Sequence, residues 1–117
     1  MEKEFLPYDL ALRMKQLGFE EPCLSYYEGE SFSYHLASIK GDDYIIPAPL
    51  YQQVFRWFRE NGFLIHFSSH DVNIHDFYIK WSPDKSILSD AYDTYEEAEL
   101  ACLDKLIEIV EGNGSSR

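Results

Sequence analysis

Cysteine is scarce in this chain, and basic side chains are outnumbered. The 117 residues hold two cysteines, Cys23 and Cys102, far apart and in no C-x-x-C pair. That spacing excludes the usual zinc and dithiol motifs. In a cytosolic chain two such thiols are expected to stay reduced. Cys23 follows Pro22 and has no histidine near it in sequence, so a Cys–His nucleophile lacks local support. Ten Lys and Arg stand against 21 Asp and Glu, a net charge of −11. A surface of that sign repels phosphate and anionic lipid and lacks the basic footprint of a nucleic-acid reader. No apolar run approaches the ~20 residues that cross a bilayer. Met1-Glu2-Lys3-Glu4 is not followed by the apolar core of a signal peptide. The cytoplasm is the expected location. No P-loop, G-x-G-x-x-G, G-x-S-x-G or H-E-x-x-H is present, and no cofactor is expected.

What the chain has is a core. Apolar residues make up 45% and aromatics 16% of it, far from the composition of a disordered segment. A chain of this length buries roughly two-thirds of its unfolded surface, enough to fold without metal or disulfide. One domain over residues 1–111 is expected, with 112–117 as a flexible C-terminal tail.

Three helices are expected. Pro7 opens the first, Leu10, Met14 and Leu17 share its face, and Gly18 caps it. Pro49 opens the second, where Leu50, Val54, Trp57 and Phe58 form an apolar stripe before Asn61-Gly62. In the third, Thr94 and Glu97 form an S/T-x-x-E capping box. Tyr95, Ala98, Cys102, Leu106 and Ile109 share its buried face, and Gly112-Asn113-Gly114 should end it. Between the helices lie two hairpins. Cys23–Tyr27 and Ser31–Ser38 flank a short Gly-containing link, with Gly41-Asp42-Asp43 as a turn and Tyr44-Ile45-Ile46 extending the sheet until Pro47. Phe63–Ser68 and His75–Trp81 flank the polar stretch 69–74, with Phe77, Ile79 and Trp81 on one face and Ser82-Pro83-Asp84 ending the hairpin. The expected class is α+β in the order α-ββ-α-ββ-α, an antiparallel sheet with helices packed on it.

Four features carry candidate chemistry. His66, His70, Asp71 and His75 crowd the second hairpin, and His with carboxylate is a metal-ligand set. His66 and His75 facing one another across the strands would make a metal centre or a small hydrolase; a turn rich in Asp, Asn and His is also ordinary turn chemistry. Glu99 falls inside the apolar sector of the third helix, where it needs Arg13, Arg56 or Arg59 as partner, a raised pKa, or a path to solvent. Arg56 and Arg59, beside Gln52 and Gln53, are the clustered basic surface, suited to an anion or to pairing with acidic residues. Tyr26, Tyr27 and Tyr34 head a tyrosine-rich first half, either an interaction face or cross-strand packing.

The charge is uneven. From Asp84 to Glu111 nine acids face two lysines, a net of −7. A solvated acidic helix explains this, as does an anionic decoy for a nucleic-acid-binding partner. A decoy needs one continuous exposed acidic stripe; the expectation is that the acids scatter and several pair with Arg or Lys.

The stretches from Pro47 to Glu60 (PAPLYQQVFRWFRE) and from Thr94 to Leu103 (TYEEAELACL) resemble a group of small uncharacterised proteins of Bacteroidetes and their phages and prophages. The second half, helix–strand–strand–helix, is also similar to the phage ABA sandwich domain. The resemblance implies a mobile-element accessory protein and assigns no catalytic residue. Together these features point to a small module that binds a protein partner or a second copy of itself, with no direct nucleic-acid or membrane contact.

Overall fold

The computed structural model describes residues 4–21, 23–39 and 45–115, with side chains left undescribed at 34–39 and 113–115. The Gly41-Asp42-Asp43 turn, Tyr44, Pro22 and the last two residues of the expected tail lie outside that description. The structure is mixed α+β, with three helices and two three-stranded antiparallel sheets. It divides into two compact units, Met1–Val54 and Phe55–Arg117.

In the first unit, α1 (Tyr8–Gln16) begins one residue later than Pro7, which caps it from an extended conformation. Leu10, Ala11 and Met14 are its buried face. Gly18 takes φ +100° and ends the helix as expected, while the Phe19 amide donates to the Met14 carbonyl at 3.1 Å. Strands β1 (Cys23–Glu28), β2 (Ser31–Ile39) and β3 (Ile45–Pro47) pair in the order β2-β1-β3. A two-residue link, Gly29 (φ +60°) and Glu30, joins β1 to β2. Pro47 belongs to β3 and pairs with Tyr26; it is tolerated because β3 is an edge. Alternation along β1 buries Cys23, Ser25 and Tyr27 and turns Leu24, Tyr26 and Glu28 the other way. Tyr27 is anchored by its hydroxyl, which donates to the Leu6 carbonyl at 2.8 Å, and by edge contacts with Tyr8 and Phe32.

The division between units falls within α2 (Tyr51–Glu60). Val54, Phe55 and Phe58 are buried, and Gly62 at φ +99° closes the helix. In the second unit, β4 (Leu64–Asp71), β5 (Ile74–Ser82) and β6 (Lys85–Leu88) pair in the order β4-β5-β6. Helix α3 (Tyr95–Ser115) packs on β5. The capping box is present: the Glu97 amide donates to Thr94 Oγ1 at 3.0 Å, and the Thr94 amide donates to Glu97 Oε1 at 3.1 Å. The buried face runs through Ala98, Cys102, Leu103, Leu106 and Ile107; Ile109 is only half-buried and Tyr95 is 40% exposed. Burying each large aliphatic side chain in such a core contributes about 1.5–3 kcal/mol.

Four expectations need correction. The two hairpins do not build one antiparallel sheet; they belong to two separate three-stranded sheets. β4 and β5 reach Asp71 and Ile74, so only Val72-Asn73 connects them rather than all of 69–74. Ser82-Pro83-Asp84 does end the β4–β5 hairpin, with the Ser82 hydroxyl donating to Asp84 Oδ1 at 2.7 Å, but the chain then returns as β6, a strand absent from the expected order. Helix α3 continues through Gly112-Asn113-Gly114 to Ser115. A helical glycine costs ~1 kcal/mol relative to alanine, which weakens a helix without obliging it to stop. Among the described residues no helix is long and apolar enough to cross a membrane.

Candidate functional site

The β4–β5 register decides the histidine cluster. His66 stands opposite Tyr78, and His75 opposite Ser69. Side chains alternate along each strand, so His75 shares the inward face with Phe77 and Ile79 while His66 lies on the outward face. They therefore do not face one another. His75 is also fully engaged: Nε2 donates to the Val72 carbonyl at 3.0 Å, and Nδ1 lies 2.7 Å from the Ser69 hydroxyl. Because a carbonyl only accepts, the proton sits on Nε2 and the Ser69 hydroxyl donates to Nδ1 in the neutral ring. The Tyr95 ring lies edge-on to the imidazole. His70 Nε2 is 3.1 Å from Asp76 Oδ2, and Asp71 Oδ1 accepts the Val72 amide at 2.7 Å. His70, Asp71 and His75 hold the hairpin end in shape, and His66 takes no part in it. Among the described residues no group of three His, Cys, Asp or Glu side chains is disposed to hold a metal ion.

The tyrosines do not form one face. Tyr27 is a core residue, 5% exposed, which corrects its place among the interface candidates. Tyr26 points to the opposite side of β1 and is half-buried. Tyr34 pairs with Ser25, and its side chain lies outside the described residues. Arg56 and Arg59 are both exposed on α2, where Gln53 Nε2 donates to Glu21 Oε1 at 3.3 Å. The positive charge of Arg59 reaches Tyr95 and Cys102 of α3.

Glu99 is half-buried and makes no ion pair among the described residues. Burial, and secondarily the neighbouring Glu96, push its carboxyl above the usual value. Of its three expected outcomes the arginine partner is not found among the described residues; the carboxyl stays half-exposed with burial raising its pKa. The other α3 acids are not one free stripe: Glu97 closes the capping box, and Glu108 Oε1 lies 3.7 Å from Lys105 Nζ. The Cys102 thiol is pushed up to about 12 by burial, with Glu99 adding to the effect. Cys23 is likewise raised to about 12 by burial and by Glu21.

Two features of the second unit have no counterpart among the expected site residues. On the outward face of β4-β5-β6, Tyr78 stands between His66 and Leu88, with Leu64 two residues along β4. Leu64 is 55% exposed and Leu88 71%. At the β6 edge, a cleft of about 430 Å³ opens towards α3. Phe77, Ile87, Leu88, Tyr92 and Ala101 line its apolar part and Ser89, Asp90, Asp104 and Lys105 its polar part. Phe77 and Tyr92 stack there with ring planes 14° apart. The signal in the sequence was the Ser-Ile-Leu run after a Pro-Asp turn, too short to register as a strand by alternation.

No protein-family model, curated protein or solved structure matches this chain.

Proposed function

We propose that the chain is a small cytoplasmic protein-interaction module of the mobile-element type, phage or prophage, that its residues 47–60 and 94–103 resemble. The observation that carries this reading is the outward sheet face, where Leu64 and Leu88 are 55% and 71% exposed beside the half-buried Tyr78. Single exposed leucines are ordinary, but two beside a tyrosine on one sheet face have the make-up of a contact surface. The charge of −11 supports a protein partner over nucleic acid or anionic membrane.

The test is a photo-crosslinking amino acid placed at position 88 and, as control, at the exposed Glu108 of α3. In the native host, discrete adducts are expected from position 88, lost when Leu64 is replaced by Ser, and absent from position 108. Equal labelling from both positions, or none from 88, removes the reading.

A further inference from the structure

We propose that the cleft between β6 and α3 is a groove for an extended polypeptide segment, which adds to the sheet as a strand along β6 and lays an apolar side chain, flanked by basic residues, into the cleft. This rests on the interaction-module reading and names the partner's chemistry and its seat.

The first support is backbone. β6 is an edge, paired among the described residues with β5 alone. The Ser89 amide donates inward to the Phe77 carbonyl at 2.9 Å. Bonding alternates along an antiparallel ladder, so the N–H and C=O groups of Ser86 and Leu88 point outward from the edge. The edge line continues past Leu88, since Tyr92 and His75 exchange two backbone hydrogen bonds of 2.7 and 3.0 Å. A partner strand thus meets an open row of donors and acceptors, the basis of strand addition.

The second support is where the cleft lies. Ile87 pairs with Ile79 on the inward face, and the cleft opens on that same side, beneath the edge. An added strand places every second side chain on that side. There it meets Phe77, Ile87, Tyr92 and Ala101. The cleft is poorly equipped for a small polar metabolite. The Ser89 hydroxyl accepts the Phe77 amide at 2.9 Å and donates to the Asp90 carbonyl at 2.8 Å, so it has no donor left.

Charge chooses the flanking residues. The exposed Asp90 carboxylate has no side-chain partner among the described residues; Asp104, already engaged, adds its charge from the opposite wall. The ammonium of Lys105 is drawn towards Glu108 at 3.7 Å. The rim therefore favours Lys or Arg on the incoming segment, and the net charge of the chain steers such a segment towards it.

The probe is the capped pentapeptide Lys-Val-Leu-Val-Lys, titrated into the full chain and followed by amide chemical shifts. Saturable shifts are expected at Ser86, Leu88 and Ala101. Binding should weaken roughly tenfold for Glu-Val-Leu-Val-Glu and several-fold for Asp90→Asn. It should be lost when the central leucine and the valine after it are both N-methylated, which removes an N–H facing β6 in either strand direction without touching the protein. Absence of saturable shifts, or equal binding of the N-methylated peptide, overturns the proposal. Shifts confined to His66 and Tyr78 overturn the groove while leaving the interaction module standing. Groove shifts together with position-88 adducts that survive Leu64→Ser retain the groove and remove the outward-face reading, since Leu88 also borders the cleft.

Discussion

Thr94 and Glu97 satisfy each other at the start of α3: each backbone amide donates to the other's side chain, at 3.0 and 3.1 Å. Two of the amides that a helix N-terminus leaves unbonded are thereby paired. Glu97 adds negative charge where the helix dipole favours it. Replacing Thr94 with Ala should cost about 1 kcal/mol, read as a lower urea midpoint at unchanged slope. Thr94→Ser should retain most of that stability. Equal loss in both variants would mean that the methyl group, not the hydroxyl, does the work.

Ser25 poses the opposite case. Its side chain is fully buried in β1, and its hydroxyl has no hydrogen-bond partner among the described residues. Neighbouring backbone is satisfied without it, since the Ala48 amide donates to the Ser25 carbonyl at 2.9 Å. A buried unpaired hydroxyl costs ~1–3 kcal/mol, whereas alanine leaves almost the same shape and no lost bond. Ser25→Ala is therefore expected to hold or raise the melting temperature. A clear fall would show that the hydroxyl has found a partner in solution.

These two positions mark what sequence can and cannot announce. A capping box is local, three residues apart, and was legible as such; so were the glycines after α1 and α2 and the apolar stripe of α2. Ser25 looks like any strand serine until the pairing of β1 with both neighbours buries it. The same holds for the histidines. Whether His66 and His75 meet depends on register, which the two-residue Val72-Asn73 connection and the irregularity between Ser69 and Asp71 set together. Composition of the hairpin suggested ligands; its pleat separates them. β6 was missed for a related reason: four residues are too few for alternation to speak, and its pairing with β5 is a tertiary fact. The cleft follows from β6 and was invisible with it.

Glu99 gives a pH signature. Burial, then Glu96, raise its carboxyl pKa above the ordinary 4.5. A raised folded-state value means that the ionised form is disfavoured by the fold, so at neutral pH Glu99 subtracts from stability. Glu99→Gln removes that penalty. The variant should melt higher near neutral pH, by on the order of 1–3 °C, given that Glu99 is only half-buried and solvent screens part of the effect. As pH falls through the folded-state pKa and then below 4.5, wild-type Glu99 becomes protonated in both states, and the two melting curves should converge. A difference that persists in acid would assign the effect to packing rather than ionisation.

The two cysteines supply a chemical check on both units. Cys23 in β1 and Cys102 in α3 are buried free thiols, each with its pKa pushed up to about 12, chiefly by burial. The thiolate is the reacting form. A rise from 9.0 to about 12 lowers its population about a thousandfold at mildly alkaline pH, before access is considered. Native protein should therefore react with a thiol reagent at least ~100-fold more slowly than the denatured chain, which should titrate both cysteines rapidly. The rates also separate the units: Cys23 reports opening of the first and Cys102 of the second. Matching rates under mild denaturant would mean that the two units open together; faster labelling of one would identify the less stable unit. Rapid labelling of Cys102 in the native state would contradict the packing of α3, because that thiol lies on the same buried face as Ala98 and Leu106.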